Sequence, residues 1–202
     1  MGAVFIRGIL AGLSISLGST IYLLCANKIV GAFLFTVGLF CVCAFGFSLF
    51  TGKICYVFDN DRKYAAELPV IWLGNLAGAV LAGLLLLQTR LGPALRESGA
   101  AVCETKLGQG ALSAFTLGIF CDFMIYIAVE GYKSIPHEIG KYLALFFGVT
   151  VFVLCGFEHC VADMFYFTVG GAWSVKACVL LLVITAGNMV GGVAIPLLRR
   201  LT

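Results

Sequence analysis

Residues Val149–Phe167 read VTVFVLCGFEHCVADMFYF. An acid and a histidine, Glu158 and His159, stand side by side between two apolar flanks, Val149 to Cys155 and Val161 to Phe167. Charge at hydrocarbon depth costs several kcal/mol unless it faces a cavity or a partner. A broken helix whose loop is buried in protein fits this pattern and is expected. The run from about Ile29 to Phe58 repeats the pattern, since it is longer than one crossing and carries Ser48-Leu49-Phe50-Thr51-Gly52-Lys53 inside it.

The whole composition points to the same solvent. The chain has 202 residues, 61% hydrophobic and only 11% charged, against about a quarter charged in soluble domains. A bilayer core of about 30 Å takes about 20 helical residues per crossing, so this length holds about six crossings and no separate soluble domain. A net charge of +3 argues against a nucleic-acid partner. Nine cysteines are present without a CxxC pair, most of them inside apolar runs. They read as small packing residues, with no metal site or cofactor expected. Arg7 followed by an apolar run could suggest a signal peptide, but the run continues to Cys25 without a small-residue cleavage site, so a retained first span is expected.

Six apolar stretches follow from this reading, at about Val4–Ala26, Ile29–Phe58, Leu68–Gln88, Gly110–Val129, Ile139–Val169 and Ser174–Leu198. A longer polar connection, about Thr89 to Gln109, separates the third from the fourth. If both termini are cytoplasmic, eight basic residues (Arg7, Lys53, Arg62, Lys63, Lys133, Lys141, Arg199, Arg200) lie inside and five (Lys28, Arg90, Arg96, Lys106, Lys176) outside. That is a modest positive-inside bias, and a multi-pass protein of the cell (inner) membrane is expected. The third and sixth stretches carry matching G-N-x-x-G sequences: Gly74, Asn75 and Gly78, and Gly187, Asn188 and Gly191. Small residues there permit close helix packing. Together with the interrupted second and fifth stretches they predict a single membrane domain made of an inverted 3+3 repeat, residues 1–88 and 109–202, with its site at the midplane.

His159 is the strongest candidate for chemistry, because an imidazole near the midplane can offer a hydrogen bond, a positive charge or both to a weak-acid anion. Glu158 reads better as a brace for the broken loop through backbone N–H groups than as a contact for an anion, which it would repel. The halves that follow the breaks, about Gly52 to Phe58 and Ala162 to Val169, would start near mid-membrane and aim two electropositive helix ends at one point. No nucleophile stands with a base, since the only other histidine, His137, falls in a polar loop; an enzyme is not expected.

The stretch Gly156-Phe157-Glu158-His159-Cys160-Val161-Ala162-Asp163-Met164-Phe165 resembles the G-F-E-H-S-x-A-N-M-F signature of formate/nitrite transporters. Leu49-Phe50-Thr51-Gly52 is similar to that family's L-F-T loop, and Gly187-Asn188-Met189-Val190-Gly191-Gly192 to its last-helix motif. The resemblance covers nearly the whole chain. It implies an all-α, six-span, aquaporin-like fold with broken helices two and five, assembled as a homopentamer with one pore per protomer. It also implies that His159 is the central pore histidine and Thr51 its counterpart on the opposite loop. Phe35, Leu39 and Phe50 match constriction positions in the first half, and Ile125, Phe152 and Ala162 those in the second. Lys106 matches a basic residue that draws anions to the outer vestibule.

This chain departs from the pattern at Asp122 and Asp163, where the family usually has Asn. Two carboxyls beside an anion path either hold a proton through burial, bond backbone donors away from the lumen, or change selectivity and proton coupling. A leading amphipathic helix, associated with gating in many members, is not read ahead of the first span. The expected function is passage of a small monovalent anion such as formate, nitrite or hydrosulfide, with proton sharing at His159. The alternative is a channel for a neutral solute such as water, ammonia or an undissociated weak acid.

Overall fold

The computed structural model describes residues 1–201 and is all-helical. Its elements are α1 (Gly2–Leu24), α2 (Lys28–Phe45), α3 (Phe50–Ile54), a 3-10 turn at Val57–Asp59, α4 (Arg62–Leu87), α5 (Gly92–Gly108), α6 (Ala111–Ser134), α7 (Glu138–Leu154), α8 (Cys160–Val169) and α9 (Val175–Arg199). Helices α1, α2, α4, α6 and α9 are each long and apolar enough to cross a membrane. Their outward faces carry Phe33, Leu84, Leu85, Val179 and Leu182 exposed, as expected where the surrounding solvent is hydrocarbon.

Local chemistry sets the boundaries. Asn27 accepts from the N–H groups of Ile29 and Val30 and starts α2, Asp61 accepts from Tyr64 and starts α4, and Ser174 accepts from Ala177 and starts α9. Helices α2 and α7 stop in the same way. Gly46 and Gly156 both adopt φ +67°, a left-handed conformation that glycine takes without Cβ strain. Phe47 then donates to Val42 O and Phe157 to Phe152 O, each at 3.0 Å, closing the helix ends.

Two tight helix pairs form the frame, α1 on α4 and α6 on α9. A Cβ built on Gly8 would lie 3.1 Å from Cα of Gly74, and one on Gly187 would lie 3.2 Å from Cα of Gly118. The glycines of the two G-N-x-x-G sequences therefore let backbones approach directly. Helix α8 is buried along its whole length, packed by α4 and α5, with lesser contacts to α1 and α9.

Two expectations are corrected here. The short helices after the interruptions begin at Phe50 and Cys160, two residues earlier than about Gly52 and Ala162, and α3 extends only to Ile54. The early starts have a cause: Asn75 and Asn188 accept the first N–H of each, as described below. The polar connection of residues 89–109 is mostly the helix α5, begun by Pro93 in its first turn and closed over α8 by Gly99 and Cys103.

Candidate functional site

The two interruptions meet at a single hydrogen bond. His159 Nε2 lies 3.0 Å from Thr51 Oγ1, with Thr51 0% and His159 2% exposed. The other ring nitrogen, Nδ1, accepts from the Ala162 N–H at 3.1 Å and so serves as the N-cap of α8. A nitrogen that accepts carries no proton, so the ring is the neutral Nε2–H tautomer and donates to Thr51 Oγ1. The structure joins the two residues that the resemblance paired, and it gives His159 a capping role that the sequence reading did not anticipate.

Asn75 and Asn188 hold the interruptions in place with the same set of bonds. Asn75 Oδ1 accepts from Phe50 N at 2.8 Å, while its Nδ2 donates to Gly8 O and Ser48 O at 2.8 and 2.9 Å. Asn188 Oδ1 accepts from Cys160 N at 3.0 Å, while its Nδ2 donates to Gly118 O and Glu158 O at 2.9 and 2.8 Å. Both amides are 0% exposed. Each satisfies backbone groups that no water reaches, which is the condition for non-helical chain at membrane depth. The sequence reading assigned these residues to helix packing; their glycine neighbours do that, and the asparagines brace the breaks. The first N–H of each short helix is thereby taken up by a side chain.

Two cavities lie along α2, one reaching it at Phe35 and the other from Leu39 to Cys43. One, of ≈ 260 Å³, is lined by Tyr22, Phe35, Lys106, Phe152, Glu158, His159, Ala162, Asp163 and Tyr166 among others. The second, of ≈ 150 Å³, is bounded by Leu39, Val42, Cys43, Leu49, Gly52, Lys53, Tyr132 and Lys133 among others. Between them stand apolar side chains. Phe35 meets Phe152 edge-on at 5.8 Å, and Phe152 stacks on the His159 ring at 5.6 Å. Phe35, Phe152 and Ala162 line the first cavity and Leu39 the second. Phe50 borders a separate lateral groove of ≈ 770 Å³ between α4 and α9. Ile125 is buried in the core.

Lys106, on α5, reaches into the first cavity and is shared between two carboxyls. Its Nζ pairs with Glu158 Oε2 and lies 2.8 Å from Asp163 Oδ1. Burial pulls the ammonium toward neutrality, but the Asp163 and Glu158 carboxylates outweigh it and hold its pKa above the ordinary lysine range. Gln109 Nε2 donates to the second Glu158 oxygen, Oε1, at 2.6 Å. Glu158 is thus tied down by side chains, while its backbone carbonyl is held by Asn188. The carboxylate was expected to brace the loop through backbone N–H groups; its bonds run instead to the side chains of Lys106 and Gln109. Asp122 is set apart from all of these. It is 0% exposed, its oxygens have no hydrogen-bond partner, and it lines neither cavity. A Cβ on Gly192 would meet its Oδ2 at 2.9 Å and Ile54 Cγ2 at 2.8 Å, which places Asp122 against α3 and α9.

Comparison with known proteins gives a consistent result. Residues 1–200 match the family described as "Formate/nitrite transporter". The chain is similar to formate channel FocB of Escherichia coli (strain K12), at 28% identity over 81% of this chain and 64% of that protein. It is also similar to a probable formate transporter of Methanothermobacter thermautotrophicus, at 32% identity over 82% and 71%. Some relatives are longer still: the chain spans 39% of formate-nitrite transporter 2 of Toxoplasma gondii (strain ATCC 50611 / Me49). Among solved structures, one described as a pentameric formate channel with formate bound superposes with a TM-score of 0.81 at 27% identity, covering 98% of this chain and 96% of that one.

Proposed function

The chain belongs to the formate/nitrite transporter family, and from that premise we propose that it is a transmembrane channel or transporter for small monovalent anions such as formate, nitrite or hydrosulfide. The observation that carries the proposal is the Thr51–His159 hydrogen bond between two cavities along α2, with phenyl rings at its outer side. The matched solved channel, described as holding formate, supports the substrate class.

In this reading the chain crosses the bilayer six times. The second crossing is α2 followed by α3, and the fifth is α7 followed by α8. Residues 1–88 and 109–202 are the two inverted repeats, supported by the matching bonds of Asn75 and Asn188 and the matching turns at Gly46 and Gly156. Both termini are cytoplasmic, which makes the Lys106 cavity the outer one and the Lys53–Lys133 cavity the inner one. Protomers assemble as pentamers in the inner membrane, by likeness to the matched pentameric channel.

The path works by selective dehydration. Phe35 and Phe152 on the outer side and Leu39 on the inner side strip water and exclude larger solutes. The Thr51 hydroxyl and the neutral His159 ring supply the polar contact that a dehydrating anion needs at the narrowest point. No step in this scheme makes or breaks a covalent bond to carbon, so the protein acts by conduction and not as an enzyme. Nδ1 is occupied by the Ala162 N–H and Nε2 carries the ring's one proton, so His159 shares that proton as a hydrogen-bond donor through Nε2–H, on the side of Thr51.

Purified protein in liposomes, challenged with a panel of formate, nitrite, hydrosulfide and neutral solutes across a pH range, tests the reading. We expect anion flux in the parent and its loss, or a changed selectivity, in His159→Asn and His159→Ala. Passage of water or ammonia alone, with no anion flux at any pH, refutes it in favour of the neutral-solute channel.

A further inference from the structure

The outer cavity contains one cation and two acids. Glu158 is fully engaged, with Lys106 at Oε2 and Gln109 at Oε1. Asp163 is not. Its side chain is 0% exposed and lines the cavity, and neither of its oxygens has an aligned hydrogen bond. Its only offset is an ammonium at 2.8 Å that Glu158 already uses. Such a carboxylate, buried against a cation committed elsewhere, is under-compensated.

The other titratable side chains around Asp163 do not make up the difference. Cys103 of α5 and Cys121 of α6 lie near it, Tyr22 of α1 lines the same cavity, His159 stands just before α8, and Cys160 and Tyr166 lie on α8 itself. Helices α4 and α9, which also pack on α8, contribute no titratable side chain to the cavity lining among the described residues. None of these groups adds a second positive charge, because His159 accepts at Nδ1 and is neutral. With Lys106, Glu158 and Asp163 all ionised, the cavity floor is one charge negative, the wrong sign to collect an anion.

We propose that Lys106, Glu158 and Asp163 form a one-proton acid site that admits a small anion from the outer cavity only while Asp163 holds a proton. The inference rests on the anion-passing reading above and assigns Asp163 as its specificity-determining residue. The proton comes from the outer solution and forms an O–H on Asp163, and no other bond changes. Lys106 stays an ammonium paired with Glu158, and the floor becomes neutral. An anion about 6 Å from one uncompensated charge, at an effective dielectric of about 20 to 40, is disfavoured by about 10- to 100-fold. That is the factor the proton removes.

The test compares parent, Asp163→Asn and Glu158→Gln in proteoliposomes, using formate uptake at fixed total formate while outer pH is varied. Each variant removes one carboxylate with little change of shape, so if one fails to fold the other still reads the site. We expect parent uptake to climb as outer pH falls, and variant uptake at neutral pH to exceed the parent's by about 10-fold or more with a flatter pH profile. Variants that transport formate with the parent's rate and pH profile overturn the inference while leaving the anion-passing function intact, because substrate speciation then explains the pH dependence. A parent that takes up no small anion at any pH overturns both.

Discussion

Replacing Asn188 with alanine deletes three hydrogen bonds in one step, to Cys160 N, Gly118 O and Glu158 O. The losses are unequal. The Cys160 N–H and the Glu158 carbonyl lie at the interruption, outside any helical ladder, and each costs about 1–3 kcal/mol when left buried and unpaired. Gly118 sits within α6 and its carbonyl also serves that helix, so its share is smaller. The total is about 3 kcal/mol, which for a chain of this size corresponds to a fall of about 6–12 °C in the thermal midpoint. Thermal scanning of the detergent-solubilised protein, with size-exclusion elution as readout, measures it. Asn75→Ala removes the matching bonds at Phe50, Gly8 and Ser48 and is expected to cost a similar amount. The double variant should be close to additive if each amide braces only its own break. An Asn188→Ala midpoint within about 2 °C of the parent would show that the amide bonds are not what holds the interruption.

Two further outcomes follow from the site. Phe152→Ala removes the ring that stacks on His159 and meets Phe35 edge-on; we expect about 3 kcal/mol of lost stability and admission of lactate where the parent excludes it, and unchanged exclusion in a liposome swelling assay would remove Phe152 from the barrier. Asp122→Asn is expected to leave the substrate panel and its pH profile as in the parent, because Asp122 lines neither cavity; a profile displaced by about one pH unit in the same flux assay would return this carboxyl to the conduction path.

The interruptions were legible because the sequence puts costly groups in apolar surroundings. Glu158 and His159 cannot face lipid, and they stand inside a stretch longer than one crossing; the two facts together pointed to a break. The G-N-x-x-G pairing was visible too, but not what its asparagines do. Their partners lie 25 to 70 residues away in sequence, and periodicity reports only which residues share a face. The helical state of residues 92–108 was hidden for a different reason. Arg96, Glu97, Glu104 and Lys106 give that segment the composition of a connection, and its helix is favoured by what it covers, the buried α8. Asp122 illustrates the limit of a family likeness: the residue was placed beside the pore by analogy with an Asn, whereas the missing side chain at Gly192 makes room for it against α9.

The bond from Ala162 to the His159 ring makes this imidazole part of the skeleton as well as of the cavity wall. A second proton arriving at Nδ1 would evict a main-chain donor, so the ring's ionisation and the winding of the first turn behind it are one event. Whatever acidifies this point would be felt as a loosening of local backbone order, and amide exchange at Ala162 would register it.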